Sequence, residues 1–409
     1  MDQSTLIALV SFGAFALFML GVPIFLVISV WVIGASLVID FTLANIGFTL
    51  FEGLNSFALL ALPLFILAGD LMKQSGIAKR LSVGSCGLFA AVSGSNSATT
   101  AAIGSIMYPE LTKQGYDKRF AAATIAAGGV VGIIIPPSIV FIVYGVLMNL
   151  SVGDLFLAGL VPGIILVIAM QATAFFVSWQ NGWGDLIGFK PLFVVKSAAR
   201  AYLGITAIAI VLYGIYSGIF SPTEAAGITV GFTVLSGLFV ARSIRFRDIP
   251  DVLIRSSKLT AMLAPMVAIS VVMQQIFAVL GVQAVVNDMF AALGGGYYGV
   301  LLLCMVIILI SGMILESIPN TIIFAPILAP IAVAGGVDPI HFAVIFLVGT
   351  AIGFITPPYG LNLYVASGVT GIPYLRLVQF VMRYLIALIA AWFIVALWPA
   401  LSEVISIHY

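Results

Sequence analysis

Ten stretches of this chain are apolar over lengths comparable with the ~30 Å hydrocarbon layer of a bilayer. They lie near residues 4–20, 23–40, 57–73, 120–150, 156–178, 201–219, 223–241, 260–280, 340–370 and 377–400. Lipid offers backbone N–H and C=O groups no partners, so such runs must close their own hydrogen bonds as helices. Composition agrees: 62% of the 409 residues are hydrophobic and 8% are charged, against about a quarter charged in a soluble domain. The chain reads as an all-α polytopic membrane protein. No basic stripe suits nucleic acid, which excludes that partner class. No basic region precedes the first run, so it reads as a retained span and not a cleaved signal. Cys86 and Cys304 sit in apolar, Gly-flanked stretches and read as small buried hydrophobes, without a disulfide or a transition-metal site.

Charge orients the spans. All sixteen Lys and Arg fall in alternate connections. Lys73, Lys79 and Arg80 follow the third span, and Lys113, Lys118 and Arg119 precede the fourth. Lys190, Lys196 and Arg200 separate the fifth from the sixth; Arg242, Arg245, Arg247, Arg255 and Lys258 separate the seventh from the eighth. Arg376 and Arg383 precede the last. The intervening loops, such as Ser151–Asp154 and Ser217–Pro222, carry none. Positive residues mark the cytoplasmic side, which places the N-terminus outside it. This numbering leaves segments 82–111 and 297–333 without a crossing of their own. Each then enters and leaves on one side as a re-entrant hairpin, the first from the cytoplasm and the second from the opposite face.

These hairpins belong to a repeat. Residues from Thr100 onward recur 221 positions later without a gap: Thr100 with Thr321, Pro109 with Pro330, Gly115 with Gly336, Asp117 with Asp338. Gly128 then matches Gly349, Gly132 matches Gly353, and Pro136-Pro137 matches Pro357-Pro358. Three spans separate the copies, so the second is expected to be inverted in the membrane. Inverted repeats broken by Gly and Pro in matching places point to a transport site.

The breaks define the candidate chemistry. Proline releases carbonyls from the helical ladder and glycine lets an ion approach the main chain. The first hairpin turns at Ser93-Gly94-Ser95-Asn96-Ser97, followed by Thr99-Thr100; the second turns at Glu316-Ser317-Ile318-Pro319-Asn320-Thr321. The broken spans read Gly132-Ile133-Ile134-Ile135-Pro136-Pro137-Ser138 and Gly353-Phe354-Ile355-Thr356-Pro357-Pro358-Tyr359, with Asn362 one turn later. Freed carbonyls and hydroxyls suit a hard cation such as Na⁺, whereas half-helix N-termini suit a carboxylate. The expected sodium ligands are Ser93, Gly94, Asn96, Gly132, Pro136, Glu316, Ser317, Gly353, Thr356 and Pro357. The expected substrate contacts are Ser95, Asn96, Ser97, Thr100, Asn320, Thr321, Thr356 and Pro358. Pro and Gly can merely kink transmembrane helices, but two copies, each with a polar hairpin tip, favour a site.

Proton coupling would call for acids or histidines inside the membrane. Glu316 is the clear interior acid, expected to assist a sodium site, and Asp70 lies near a boundary; His341 is expected at a solvated span mouth. No Walker loop is present, so ATP is not consumed here directly. Every Arg lies at the basic face, so an anion must be held by hydroxyls, amides and helix N-termini.

At these residues the chain resembles the large membrane subunit of tripartite ATP-independent periplasmic (TRAP) transporters. The motifs are SGSNSATTAAIGSIM (Ser93–Met107), GxxIPPS (Gly132–Ser138), YSGIFSPTEAA (Tyr216–Ala226), APILAPIA (Ala325–Ala332), IGFITPPYGLNLYVASG (Ile352–Gly368) and LALPLFILAGDLM (Leu60–Met72). The resemblance implies Na⁺-coupled uptake of an organic acid across the bacterial inner membrane by an elevator motion, with no cofactor beyond the coupling ion. It also implies a small four-helix membrane subunit and a periplasmic substrate-binding protein as partners. A stand-alone sodium/dicarboxylate symporter is the alternative; a channel is a further rival. Enzyme motifs are absent: Ser93-Gly94 follows Val92, and Leu67-Ala68-Gly69-Asp70 lacks the first glycine of a presenilin-like motif. The expected division is scaffold helices in 1–56 and 156–259, transport segments in 57–155 and 260–375, and a C-terminal helix in 376–409.

One departure concerns length. The family carries an amphipathic arm before the first hairpin, yet here Arg80-Leu81 runs straight into Ser82-Val83-Gly84. Pro63 to Thr100 covers 37 positions, whereas Pro265 to Thr321 covers 56, and 281–296 supplies such an arm in the second copy. Separately, Ser221-Pro222-Thr223-Glu224 reads as a capping box that starts a helix.

Overall fold

The computed structural model describes residues 2–39, 41–74, 96–183, 202–282, 284 and 296–403. Within them every regular element is helical. The half that contains the first copy comprises α1 (Gln3–Met19), α2 (Ile24–Val38), α3 (Leu43–Leu54), α4 (Ala61–Gln74), α5 (Asn96–Lys113), α6 (Lys118–Gly128), α7 (Ile139–Met148) and α8 (Val152–Asn181). The half that contains the second comprises α9 (Tyr202–Tyr216), α10 (Pro222–Leu235), α11 (Ile249–Val279), α12 (Tyr297–Ile314), α13 (Ser317–Ala334), α14 (Pro339–Gly353), α15 (Leu361–Thr370) and α16 (Tyr374–Leu397), followed by the short α17 (Ala400–Glu403). Six helices among the described residues are long and apolar enough to cross a membrane, and α3 with α4 forms a further pair bent by 60°.

Local chemistry sets the helix ends. Asp117 accepts from the N–H groups of Arg119 and Phe120 at 2.8 and 3.2 Å. Asp338, its counterpart, does the same for Ile340 and His341, both at 2.9 Å. An N-cap carboxylate satisfies N–H groups that the first helical turn leaves free. The capping box at Ser221 is present: Glu224 N–H donates to Ser221 Oγ, and Ser221 N–H donates to Glu224 Oε2 at 2.8 Å. Both expected breaks are there too, each with a cis Pro-Pro peptide, Pro136-Pro137 and Pro357-Pro358.

Three observations depart from the sequence reading. Helix α11 begins at Ile249, so Arg255 and Lys258, expected in a connection, lie on its first turns. Segment 43–54, between expected spans, is an amphipathic helix whose Ile46, Thr49 and Gly53 face inward while Phe48 and Phe51 are exposed. That inner face lies on α11: Thr49 Oγ1 donates to Gln275 Oε1 at 2.9 Å, and Gly53 rests against Ala268 and Val271. Finally, His341 is fully buried, correcting its expected solvated place. Its ring pairs with Ser402 Oγ on one side and the Ala396 carbonyl at 3.2 Å on the other. A buried imidazole needs both nitrogens satisfied, and the returning end of α16 provides the partners.

Packing exchanges elements between the copies. Helix α5 lies against α15 of the second copy, and its counterpart α13 lies against α7 of the first. Likewise α6 packs on α16 and α14 on α8; α10 packs on α4 and α2 on α11. These contacts cut across chain order. Helix α8, expected with the scaffold, packs on α6, α7, α14, α16 and α17. Helices α4 and α11, expected in the transport segments, pack chiefly on each other and on α2, α3 and α10. Sequence position could not reveal this, because adjacency in the chain does not dictate which apolar faces match. A largely apolar cavity of about 620 Å³ separates the two groups, walled by α1, α2 and α11 on one side and α12 and α13 on the other.

Candidate functional site

The start of α5, the end of α6 and the start of α15 converge on Gly129. Any side chain there would collide: a Cβ would stand 2.0 Å from Thr100 Oγ1, 2.6 Å from Asn362 Nδ2 and 2.9 Å from the Asn96 carbonyl oxygen. Glycine is therefore required by close approach, not by its φ. Around it, Asn96, Thr99, Thr100 and Asn362 are all buried to 1% exposure or less. Asn362 Nδ2 donates to the Ala126 carbonyl at 3.3 Å. Among the described residues, both amide atoms of Asn96, the hydroxyls of Thr99 and Thr100, and Asn362 Oδ1 have no hydrogen-bond partner.

That concentration of unsatisfied groups is chemically informative. A buried polar atom without a partner costs about 1–3 kcal/mol, and folded proteins tolerate few of them. Five such atoms lie on the residues of this cluster: Asn96 Oδ1 and Nδ2, Thr99 Oγ1, Thr100 Oγ1 and Asn362 Oδ1. Four are amide or hydroxyl oxygens, hard neutral ligands of the kind that coordinate small hard cations, and Asn96 Nδ2 is a hydrogen-bond donor. The start of α5 adds the positive end of a helix, which favours an anion nearby.

The second copy repeats the frame with different chemistry. Ser317, Asn320 and Thr321 stand where Asn96, Thr99 and Thr100 stand in the first, at the start of α13, and all are buried. The counterpart of Gly129 is Thr350. Its hydroxyl accepts from Asn320 Nδ2 at 2.9 Å, and Thr321 Oγ1 donates to the Ser317 carbonyl at 2.8 Å. Asn320 Oδ1 remains without a partner among the described residues. The threonine thus satisfies in the second copy groups of the kind that stay open in the first. The turn that follows α6 packs on α14, which carries Thr350, so the two clusters are neighbours.

The breaks are closed locally. Ser138 Oγ donates to the Ile133 carbonyl at 2.6 Å and caps α7 by accepting from Phe141 N–H. In the second, Gly360 adopts φ +56° and Asn362 N–H donates to the Phe354 carbonyl at 3.0 Å. Tyr374 OH donates to the Pro358 carbonyl at 2.7 Å, tying this break to the start of α16.

The expected residues therefore separate. Asn96 and Thr100 come together around Gly129, and Ser317, Asn320 and Thr321 assemble near Thr350. Ser97 is half-buried on the first turn of α5. Ser93, Gly94 and Ser95 lie outside the described residues. Thr356 is buried, but its hydroxyl already donates to the Ile352 carbonyl at 2.9 Å. Gly132 and Pro136 are buried in the first break, Pro357 is half-buried and Pro358 exposed. Gly353 is buried at a helix crossing, where a Cβ would lie 2.4 Å from the Gly312 carbonyl carbon. Glu316 is the N-cap of α13, and its side chain bonds no N–H of that helix. Gly129, Thr99, Thr350 and Asn362 were not among the expected ligands. The repeat held one signal for them, since the offset aligns a glycine with a threonine at an otherwise matching break.

Known proteins share this chain's pattern. The family model for the tripartite ATP-independent periplasmic transporter, DctM component, matches residues 5–82 and 81–401. The two matched segments meet where the first copy is short. The isethionate TRAP transporter permease protein DctMQ of Oleidesulfovibrio alaskensis is 36% identical over 417 residues, covering 96% of this chain. The chain spans 65% of that longer relative. The C4-dicarboxylate TRAP transporter large permease protein DctM of Rhodobacter capsulatus is 34% identical over 433 residues, covering 97% of this chain and 98% of its own. In fold, the chain is similar to the crystal structure of the Alcanivorax borkumensis YdaH transporter, with TM-score 0.63 and 17% identity over 88% of this chain and 89% of that one.

Proposed function

This chain belongs to the family of the DctM component of tripartite ATP-independent periplasmic transporters, and on that premise we propose that it is the permease of a sodium-coupled uptake system for a small organic acid. It is a multi-pass membrane protein. The bacterial inner membrane, with the N-terminus on the periplasmic side, is the location that the one-sided distribution of Lys and Arg supports. Relatives named for C4-dicarboxylates and sialic acid support a carboxylate substrate.

The observation that carries the sodium reading is the set of unpartnered side-chain oxygens on Asn96, Thr99, Thr100 and Asn362. Sodium there would be coordinated by those amide and hydroxyl oxygens, and its charge would raise the affinity for a carboxylate at the adjoining helix starts. Two sodium ions entering with a monoanion carry one net charge, worth about 2.3 kcal/mol per 100 mV. For movement, the reading is an elevator in which α5–α8 and α12–α17 travel as one inverted-repeat body against α1–α4 and α9–α11. The exchanged packing and the apolar cavity between these groups support it. A small membrane subunit and a periplasmic binding protein are the proposed partners.

Uptake by proteoliposomes holding the permease and its small subunit tests this reading, with labelled succinate, sialic acid and a sulfonate as candidates. Accumulation should require both an inward sodium gradient and the binding protein. Accumulation with the binding protein omitted would replace it by the stand-alone symporter, and sodium-independent flux would overturn the coupling. Within that assay Asn96→Ala should raise the half-saturating sodium concentration about tenfold, the equivalent of 1.4 kcal/mol. Thr356→Ala should change it far less, because that hydroxyl is already spent on the Ile352 carbonyl. Equal effects of the two substitutions would remove Asn96 from the ion site.

A further inference from the structure

A second cavity, of about 320 Å³, opens where the end of α5, the start of α6 and the last turns of α8 meet. Its walls are aromatic, with Tyr116, Phe120, Phe175, Trp179 and Trp183, while Thr124 and Ser178 add hydroxyls. Phe120 holds this wall together, lying 5.3 Å from the Trp183 ring and 6.2 Å from Tyr384 of α16. Trp179 and Phe175 are 68% and 67% exposed, so the cavity opens sideways toward what surrounds the helices.

Cations stand beside this slot. The guanidinium carbons of Arg119 and Arg383 lie 5.3 and 5.6 Å from the centroid of the same Phe380 ring. Phe380 in turn packs on both Phe120 and Trp183 of the wall. Arg119 is paired with Asp117 at 3.0 Å, and Arg383, exposed, has no acidic partner among the described residues. Two like charges drawn to one ring, with one carboxylate held by Arg119, leave a net positive edge. The ring attracts both cations, but an anion between them would relieve their mutual repulsion.

We propose that this slot binds an acidic phospholipid, its phosphate between Arg119 and Arg383 and its glycerol and acyl portion along the aromatic wall. Three features select that occupant over a soluble anion. The slot is aromatic, it opens sideways, and it lies at the end of the molecule that carries the basic residues. Trp and Tyr concentrate at the headgroup level of membrane proteins, and basic pockets between helices on the cytoplasmic side hold anionic headgroups. All the contributing helices, α5, α6, α8 and α16, belong to the group proposed to move, so the lipid would travel with it. The site rests on the membrane reading of the chain and not on sodium coupling.

The test uses the purified permease with its small subunit in neutral detergent micelles. Phosphatidylglycerol, added in mixed micelles, should raise the thermal unfolding midpoint by several degrees; phosphatidylcholine and inorganic phosphate should not. Arg119→Gln with Arg383→Gln should abolish that selective shift and the phosphatidylglycerol retained on purification, as counted by native mass spectrometry. If the double variant is poorly stable, Arg383→Gln alone should reduce retention at least threefold. Equal stabilisation by phosphatidylcholine, or retention unchanged in the single variant, would overturn the site. A response to inorganic phosphate alone would mean a soluble-anion site and would also overturn it. Lipid binding without sodium-driven uptake would sink the coupling while leaving this site intact.

Discussion

Replacing Gly129 by alanine is expected to abolish sodium-driven uptake while the protein still folds and inserts. The new methyl group would stand 2.0 Å from Thr100 Oγ1 and 2.6 Å from Asn362 Nδ2. Both are ends of side chains and can swing aside. The Asn96 carbonyl oxygen, at 2.9 Å, is main chain and can yield only slightly. The fold therefore survives at a cost of about 1–3 kcal/mol for overpacking, but the ion would lose two or more ligands together. At roughly 1.4 kcal/mol for each tenfold in affinity, sodium binding should weaken at least a hundredfold. Sodium-dependent stabilisation of the purified protein and uptake in proteoliposomes would both report this. Thr350→Gly, in the second copy, is the informative partner: it frees Asn320 Nδ2 from its present acceptor and should alter sodium affinity much less. Wild-type sodium dependence in the Gly129→Ala protein would show that the cradle holds no ion.

The second large effect is on the fold itself. Gly353→Ala would place a Cβ 2.4, 2.7 and 2.8 Å from the carbonyl carbon, Cα and carbonyl oxygen of Gly312. Here every clashing atom is backbone, so no rotamer change relieves it. Helices α12 and α14 would have to separate, opening the interior beneath them. Cores are packed to crystal-like density, so that displacement exposes gaps beyond the ~1–3 kcal/mol of ordinary overpacking. The expected outcome is a sharply lower yield of folded protein and a depressed unfolding midpoint in detergent. Gly312→Ala should behave alike, since its Cβ would meet the Thr350 carbonyl oxygen at 2.9 Å and Cα at 3.0 Å. Gly13→Ala, which has nothing within 4 Å, should be neutral or gain up to about 1 kcal/mol from helix propensity. A Gly353→Ala protein as stable as the parent would mean that α12 and α14 do not approach as described.

Much of the molecule was legible beforehand, and what was missed is instructive. Asp117 and Asp338 announce two helix starts because a short carboxylate reaches only its own next turn. The Pro-Pro pairs announce two breaks because a missing N–H cannot be replaced at a distance. Asn96, Thr100, Asn320 and Thr321 were recognisable as polar residues that lipid would not receive. Gly353, expected as a sodium ligand because it stands beside a proline break, also packs against Gly312, a contact that the sequence did not announce. His341 was misread for a related reason, since its partners, Ser402 and Ala396, lie more than fifty positions downstream.

Sequence by itself determined most of where this chain is helical and where it breaks. Those outcomes depend on groups within a few residues of each other, or on the cost of placing them in lipid. Only the tertiary structure decided that α5 of one copy meets α15 of the other, and so that Gly129, Thr100 and Asn362 share a cradle. It also decided that the matching place beside Asn320 is filled by Thr350. Long-range packing selects partners by the shape of whole helix faces. Neither offset nor composition encodes that shape, and a single hydroxyl-bearing side chain decides whether a polar cluster is closed or left open to a guest.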